Sequence, residues 1–277
     1  MKAIVNRILP FSSVDGPGNR TSIFFQGCNF NCLYCHNPET INICNHCGIC
    51  VMECKFSALW MNSGEVIWDK VLCQNCDVCL GSCPHNSTPK ALEMTVEQVL
   101  LEIRKTRKFI SGITVSGGEC TLQSEFLLEL FKEVKKMGLT TFVDTNGSIP
   151  LYQNEALLKV TDKVMLDVKA YNEEEHKMLT GMGNQVVLKN LKELAKKDKL
   201  YEIRTVIVPE VLNNYLTVDR VSKWISEVNP ALRYKLIKYR TIGVRIDMLN
   251  SYTPSEEIIK ELITLANRNG CDNVICI

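Results

Sequence analysis

The chain carries almost no net charge: 32 Lys and Arg balance 31 Asp and Glu to leave +1 over 277 residues. That balance excludes the electrostatic excess with which a protein holds a polyanion such as nucleic acid. No apolar run approaches the roughly 18 residues of a membrane span, so no membrane partner is expected. The first ten residues break their apolar positions with Asn6 and Arg7 and lack the apolar centre of a secretion signal. They read as a strand, and a cytoplasmic location is expected. No repeat is visible beyond paired cysteine runs, and no acid–base or nucleophile constellation stands out. An apolar content of 45% is ordinary for a protein that buries a real core.

Cysteine, in contrast, is abundant: fourteen residues, eleven of them in three tight clusters. Disulfide-dense chains are usually small and secreted, and this one has neither trait. The short spacings point to metal ligation.

Outside a cysteine-rich stretch at 41–86, strand-like runs alternate with helical ones. Strands are predicted at 21–25, 112–115, 140–144, 163–167, 201–208 and 234–238, with 273–277 as a further edge. Thr95 and Gln98 form a capping box that opens a helix to about Lys105. A second helix runs over 124–137 with Gly138 as its C-cap, a third over 217–228, and a last one starts at Thr253-Pro-Ser-Glu256 with proline at its first position. This alternation predicts an α/β chain with a parallel sheet, and in such folds chemistry gathers at the C-terminal ends of the strands. The strand count suits a partial (β/α)6 TIM-type barrel as well as an open sheet.

Cys28, Cys32 and Cys35 follow the first of these strands as C-x3-C-x2-C. Three thiolates on one loop hold three corners of a 4Fe–4S cube and leave one iron open, which a reactive centre needs and a simple carrier does not. A zinc knot completed by a residue such as His36 is the alternative. Cys44, Cys47, Cys50 and Cys54 follow C-x2-C-x2-C-x3-C, and Cys73, Cys76, Cys79 and Cys83 repeat it with Pro84 behind. This is the bacterial ferredoxin run, in which the fourth cysteine of each run ligates the other cube. The expected sets are therefore Cys44, Cys47, Cys50 and Cys83 for one cube, and Cys54, Cys73, Cys76 and Cys79 for the other. Zinc ribbons share C-x2-C pairs but not this doubled spacing. Fully ligated cubes carry electrons rather than react.

The three-cysteine loop, with Tyr34 before its last cysteine, resembles the signature of the radical S-adenosylmethionine (SAM) superfamily. Val14-Asp-Gly-Pro-Gly-Asn-Arg20 before it and Cys35-His-Asn37 at its end are similar to the activases of glycyl radical enzymes. Gly-Gly-Glu-Cys120 and the segment from Arg240 to Arg245 look most like the YjjW branch of these. The resemblance implies a partial barrel (1–40 and 87–277) with an inserted two-cluster ferredoxin-like domain (41–86). It implies three [4Fe–4S] clusters, SAM as cosubstrate, a glycyl radical enzyme as partner, a flavodoxin or ferredoxin as electron donor, and anaerobic use. Tyr34, Cys35 and His36 would flank the cosubstrate, and Gly117 and Gly118 would meet its methionine amino group. Lys169 would meet its carboxylate, with Asp167 and Val168 near the ribose. Arg240 stands where some relatives carry a ribose-contacting histidine, and Arg204 matches an arginine of related activases. Asp144, Thr145, Met165 and Asp167 match a monovalent-cation site. Alternation already places Met165, Asp167 and Lys169 on one face. Cys120, Cys271 and Cys276 read as small packed residues.

The expected activity is reductive cleavage of SAM to a 5′-deoxyadenosyl radical that takes hydrogen from a partner's glycine. The alternatives are a radical enzyme acting on another substrate and, from another class, a ferredoxin-type electron carrier.

Overall fold

The computed structural model describes residues 1–277, with Ile246 described by its backbone alone. Strand β1 (Lys2–Ser12) pairs antiparallel with β2 (Arg20–Phe25). Residues 41–86 then leave the sheet. They carry the helical turn α1 (Ile49–Met52), a hairpin of β3 (Leu59–Asn62) and β4 (Glu65–Trp68), and the turn α2 (Val78–Gly81). The chain enters and leaves this region side by side, with Asn42 N–H donating to Asn86 O at 3.0 Å. Strand β5 (Leu92–Thr95) returns to pair with β1.

From there strand and helix alternate: α3 (Val96–Thr106), β6 (Gly112–Gly117), α4 (Ser124–Lys136), β7 (Thr140–Thr145), α5 (Glu155–Val160), β8 (Lys163–Asp167), α6 (Glu173–Thr180), α7 (Gln185–Lys196), β9 (Leu200–Ile207), α8 (Asn214–Val228), β10 (Arg233–Lys238), α9 (Glu256–Arg268) and β11 (Val274–Cys276). The sheet order is β11-β10-β9-β8-β7-β6-β2-β1-β5, and every pair from β2 to β11 is parallel. The two ends do not meet. A helix-backed parallel sheet of this order is a mixed α/β architecture that fits a partial TIM-type barrel.

Helices cover the outer face. Helix α4 buries Phe126, Leu127, Leu130, Phe131 and Val134 against it, worth roughly 10 kcal/mol at about 1.5–3 kcal/mol per side chain. The capping box forms as expected, Thr95 and Gln98 each satisfying the other's backbone N–H. Gly138 takes the left-handed turn that ends α4 (φ 72). The last helix differs from expectation. Ser255 caps it by accepting from Ile258 N–H, so Pro254 lies before the helix and not at its first position.

The inner face is polar. Strand alternation and register bring Asp144, Met165, Asp167, Glu202, Arg204 and Lys235 into one lattice. Glu202, 1% exposed, pairs with Arg204 (2.6 Å), Lys235 (2.7 Å) and Arg233 (2.8 Å). At the N-terminal end of the strands, where Glu202 and Arg233 also lie, Arg20 is fully buried. It donates to Thr114 Oγ1 (2.8 Å), Thr140 Oγ1 (2.9 Å) and Ile113 O (2.6 Å) with its guanidinium 4.1 Å from the Phe142 ring centre. Arg20 packs the foot of the barrel under β2, β6 and β7, and the loop that follows β2 lies at the other, C-terminal mouth.

Candidate iron–sulfur and SAM site

Strand β2 ends at Phe25, and Gln26 anchors the loop beyond it. Its side-chain amide donates to Glu39 O (2.7 Å) and Asn42 O (2.6 Å). Gly27 N–H and Cys28 N–H donate to Thr40 O (2.9 Å) and Ile41 O (2.8 Å). The far side of the cysteine loop hangs on the end of α6, Asn31 N–H donating to Thr180 O (2.9 Å) and Leu33 N–H to Leu179 O (3.0 Å). Arg245 reaches in from the loop after β10 and donates to Cys32 O at 2.6 Å. The loop that presents Cys28, Cys32 and Cys35 is thus held from three sides.

Cys32 is buried and Cys28 and Cys35 are half-buried. Burial pushes the Cys28 thiol up to about 12 and the Cys32 thiol up to about 11, against the pull of Lys169 on both. The same cause raises Cys35. Thiols so placed ionise when a metal takes their proton's place. Asn146 points its side-chain N–H at Cys28 Sγ (3.7 Å). Among the described residues no three His, Cys, Asp or Glu side chains converge on a point suited to one metal ion.

Around this loop the other sequence candidates gather unevenly. Lys169 is nearly buried, its Nζ 2.8 Å from Asp167 Oδ2 and 5.6 Å from the Tyr34 ring centre. Burial opposes its charge, but Asp167, Tyr34 and Cys32 together hold it protonated well above the ordinary lysine range. Tyr34 is fully enclosed and its hydroxyl has no partner among the described residues. Gly117 and Gly118 press against the root of the cysteine loop. A Cβ on Gly118 would lie 2.2 Å from Gly27 O, and one on Gly117 2.2 Å from Phe25 N. Gly117 also has φ +119, so both positions exclude side chains.

Val168 contributes main chain only, since its side chain lies in the hydrophobic core. His36 Nε2 lies 3.2 Å from Arg240 O, while the Arg240 side chain is exposed. Arg245, not Arg240, is the arginine that reaches the cysteine loop.

Asp144, Met165 and Arg204 do come together: Arg204 Nη1 is 2.9 Å from Asp144 Oδ1, and Nη2 donates to Met165 Sδ at 3.0 Å. Ser116 donates to the other Asp144 oxygen (2.9 Å). Burial works against the Arg204 charge, but Asp144 and Glu202 raise its pKa. The Thr145 hydroxyl turns away, donating to Glu119 at 2.8 Å. Arg204 thus engages Asp144 and Lys169 engages Asp167.

Sequence reasoning passed over Glu119. This carboxylate, 1% exposed, accepts from Thr121 N–H (3.0 Å), Thr121 Oγ1 (2.6 Å), Thr145 Oγ1 (2.8 Å) and Asn146 N–H (2.7 Å). It ties the turn after β6 to the end of β7 and so positions Asn146. Its place beside the two glycines was the available signal.

In the 41–86 region the two cysteine runs have the same backbone. Positive φ recurs at His46, Gly48 and Ser57, and again at Asn75, Asp77 and Asn86, each set two, four and thirteen residues after Cys44 and Cys73. One cavity is lined by Cys44, Cys47, Cys50 and Cys83 with Ser87. A second is lined by Cys54, Cys73, Cys76 and Cys79 with Trp68 and Lys90. Ser87 Oγ and Trp68 Nε1 are buried without partners among the described residues. Each cavity thus brings together four thiols and one donor that would suit a cluster's sulfur.

The sequence pattern of the Radical SAM superfamily matches residues 22–216. The pyruvate formate-lyase 1-activating enzyme of Escherichia coli K12 is 33% identical over 250 residues, covering 87% of this chain and 83% of that protein. A relative from Haemophilus influenzae, named for glycyl-radical enzyme activation, is 30% identical over 295 residues, covering 99% and 96%. The solved structure of QueE from Escherichia coli has the same fold, with a TM-score of 0.55 at 14% identity over 100% of this chain and 94% of that one. Among the described residues no helix is long and apolar enough to cross a membrane. The chain belongs to the radical SAM superfamily and, within it, to the activating enzymes of glycyl-radical enzymes.

Proposed function

We propose that this chain is an activase that installs a glycyl radical on a partner enzyme. Cys28, Cys32 and Cys35 would hold a 4Fe–4S cluster with one open iron. When bound, that cluster supplies one electron to the sulfonium of SAM, which splits into methionine and a 5′-deoxyadenosyl radical that takes a hydrogen atom from a partner glycine. The chain's own part is to bind, orient and exclude water. Lys169 sets a fixed ammonium beside the cysteine loop for the methionine carboxylate. Gly117 and Gly118 leave main chain bare for its amino group, and Asp167 and Val168 border the ribose. Tyr34 and the Lys169 stem seal the floor. No side chain here need move a proton.

The observation that carries this reading is the meeting of the three-thiol loop, the Lys169–Asp167 pair and the bare Gly117-Gly118 backbone at one mouth. The insert's two cavities would hold further 4Fe–4S cubes, each taking its fourth thiolate from the other cysteine run. These would pass electrons inward from a flavodoxin or ferredoxin. The chemistry is oxidoreductive and belongs to anaerobic conditions. The test is anaerobic mixing of reduced protein and SAM with candidate glycyl radical enzymes, read by electron paramagnetic resonance. A glycine-centred doublet with one candidate is expected. SAM cleavage with no doublet for any candidate would favour a radical enzyme acting on another substrate.

A further inference from the structure

The two cysteine cavities of the insert repeat one another in backbone and thiol count but not in charge. The cavity of Cys44, Cys47, Cys50 and Cys83 is otherwise lined by Asn45, Gly48, Ile49, Val66, Pro84, Ser87 and Pro89, none of them charged. The cavity of Cys54, Cys73, Cys76 and Cys79 includes Lys90. The Lys90 side chain is only 14% exposed and its Nζ is held 2.8 Å from Asp77 Oδ1, while Asp77 itself is 62% exposed. Solvent therefore screens the aspartate more than the ammonium. Lys90 lies seven residues after the last cysteine of the runs and lines one cavity with Cys54, Cys73, Cys76 and Cys79. The same cavity has the second asymmetry of Trp68, whose indole N–H is buried without a partner among the described residues.

An all-thiolate 4Fe–4S cube is anionic and gains a further negative charge on reduction. Net charge around it and hydrogen bonds to its sulfurs set its potential. A fixed cation of low exposure stabilises the reduced form, and weak screening preserves that effect.

We propose that Lys90 is a positioning residue that makes the cube at Cys54, Cys73, Cys76 and Cys79 the easier of the insert's two to reduce. Electrons entering the insert then settle on that cube first. Cys83 of the other set and Asp77 beside Lys90 both line a cavity with His36 and Asn37 at the end of the SAM-binding loop. The Lys90 cube is accordingly the station that accepts an electron first. This inference rests on the reading that the insert holds two cubes.

The experiment is a redox titration of the anaerobic holoenzyme, followed by electron paramagnetic resonance, for the native chain and for Lys90→Gln, Lys90→Arg and Asp77→Asn. In K90Q one cluster signal moves to more negative potential. At the native midpoint its reduced-to-oxidised ratio falls about tenfold, equivalent to about 59 mV for one electron. K90R restores the native value. D77N, which removes the opposing carboxylate at a left-handed position that Asn tolerates, moves the same signal the other way. A general loosening of the insert would shift both variants in one direction. Native iron content with no cluster shifted in K90Q, or with all shifted equally, overturns the role of Lys90. Iron for only one cube per chain overturns the two-cube reading itself, and with it this inference.

Discussion

Replacing Glu119 by Gln changes one atom and should cost much of the local structure. The native carboxylate accepts from two backbone N–H groups, one on each oxygen, and from two threonine hydroxyls. Burial raises its pKa, while the bonds from Thr121, Asn146 and Thr145 favour the ionised form. In Glu119→Gln the amide must turn its NH2 to one side or the other. The milder choice faces Asn146 N–H, losing one charge-assisted bond worth about 1.5–3 kcal/mol and leaving a buried N–H unpaired for about 1–3 kcal/mol. The lower cost of burying an amide offsets part of this, for a net loss of about 2–4 kcal/mol. For a chain of this size that lowers the melting temperature by roughly 5–15 °C. The assay is anaerobic thermal unfolding followed by circular dichroism, with iron content measured in parallel. Because Glu119 positions Asn146 beside Cys28, iron retention should fall before the fold is lost. Unfolding within about 1 °C of the native protein would refute the reasoning and show that Glu119 is not an ionised acceptor.

Three further outcomes are expected from the same geometry. Lys169→Met should weaken SAM binding by tenfold or more in equilibrium titration and leave Asp167 unpaired, with about 3 kcal/mol of stability lost as for a broken buried pair; unchanged affinity would remove Lys169 from the site. Gly118→Ala forces a Cβ to within 2.2 Å of Gly27 O, so about 1–3 kcal/mol of strain should appear in denaturant unfolding together with reduced iron loading, whereas full loading would mean the loop yields freely. His176 is fully buried with its pKa lowered by burial, so the unfolded chain takes the proton first and stability falls as pH drops through about 6.5; His176→Gln should flatten that fall in unfolding at pH 5.5 and 7.5, and equal slopes would contradict the assignment.

Much of the site was legible in the residues because it depends on local spacing. The expected sets of four cysteines do line two separate cavities, and strand alternation alone puts Met165, Asp167 and Lys169 together. The polar ends of 112–115, 140–144 and 163–167 do lie at the mouth. Features joined across the chain were not legible. Arg245 reaches Cys32 from more than two hundred residues away through a loop without periodicity, and nothing local distinguishes it from Arg240. Glu119 and Asn146 sit inside recognisable motifs, but their bond crosses from β6 to β7. Strand β5 is four residues long, exposed at its first two positions, and held by pairing with β1 rather than by any pattern of its own. The early start expected for the last helix rested on Pro254 as a first-turn residue, when Ser255 offered the stronger cap.

The most direct measurement of the account is the yield of 5′-deoxyadenosine from SAM after anaerobic reduction, comparing the native chain with one in which Cys28, Cys32 and Cys35 are all alanine and the insert is untouched. The account predicts product from the first and none from the second, although the second would keep the iron of the two cubes proposed for the insert. Equal yields from both would contradict it.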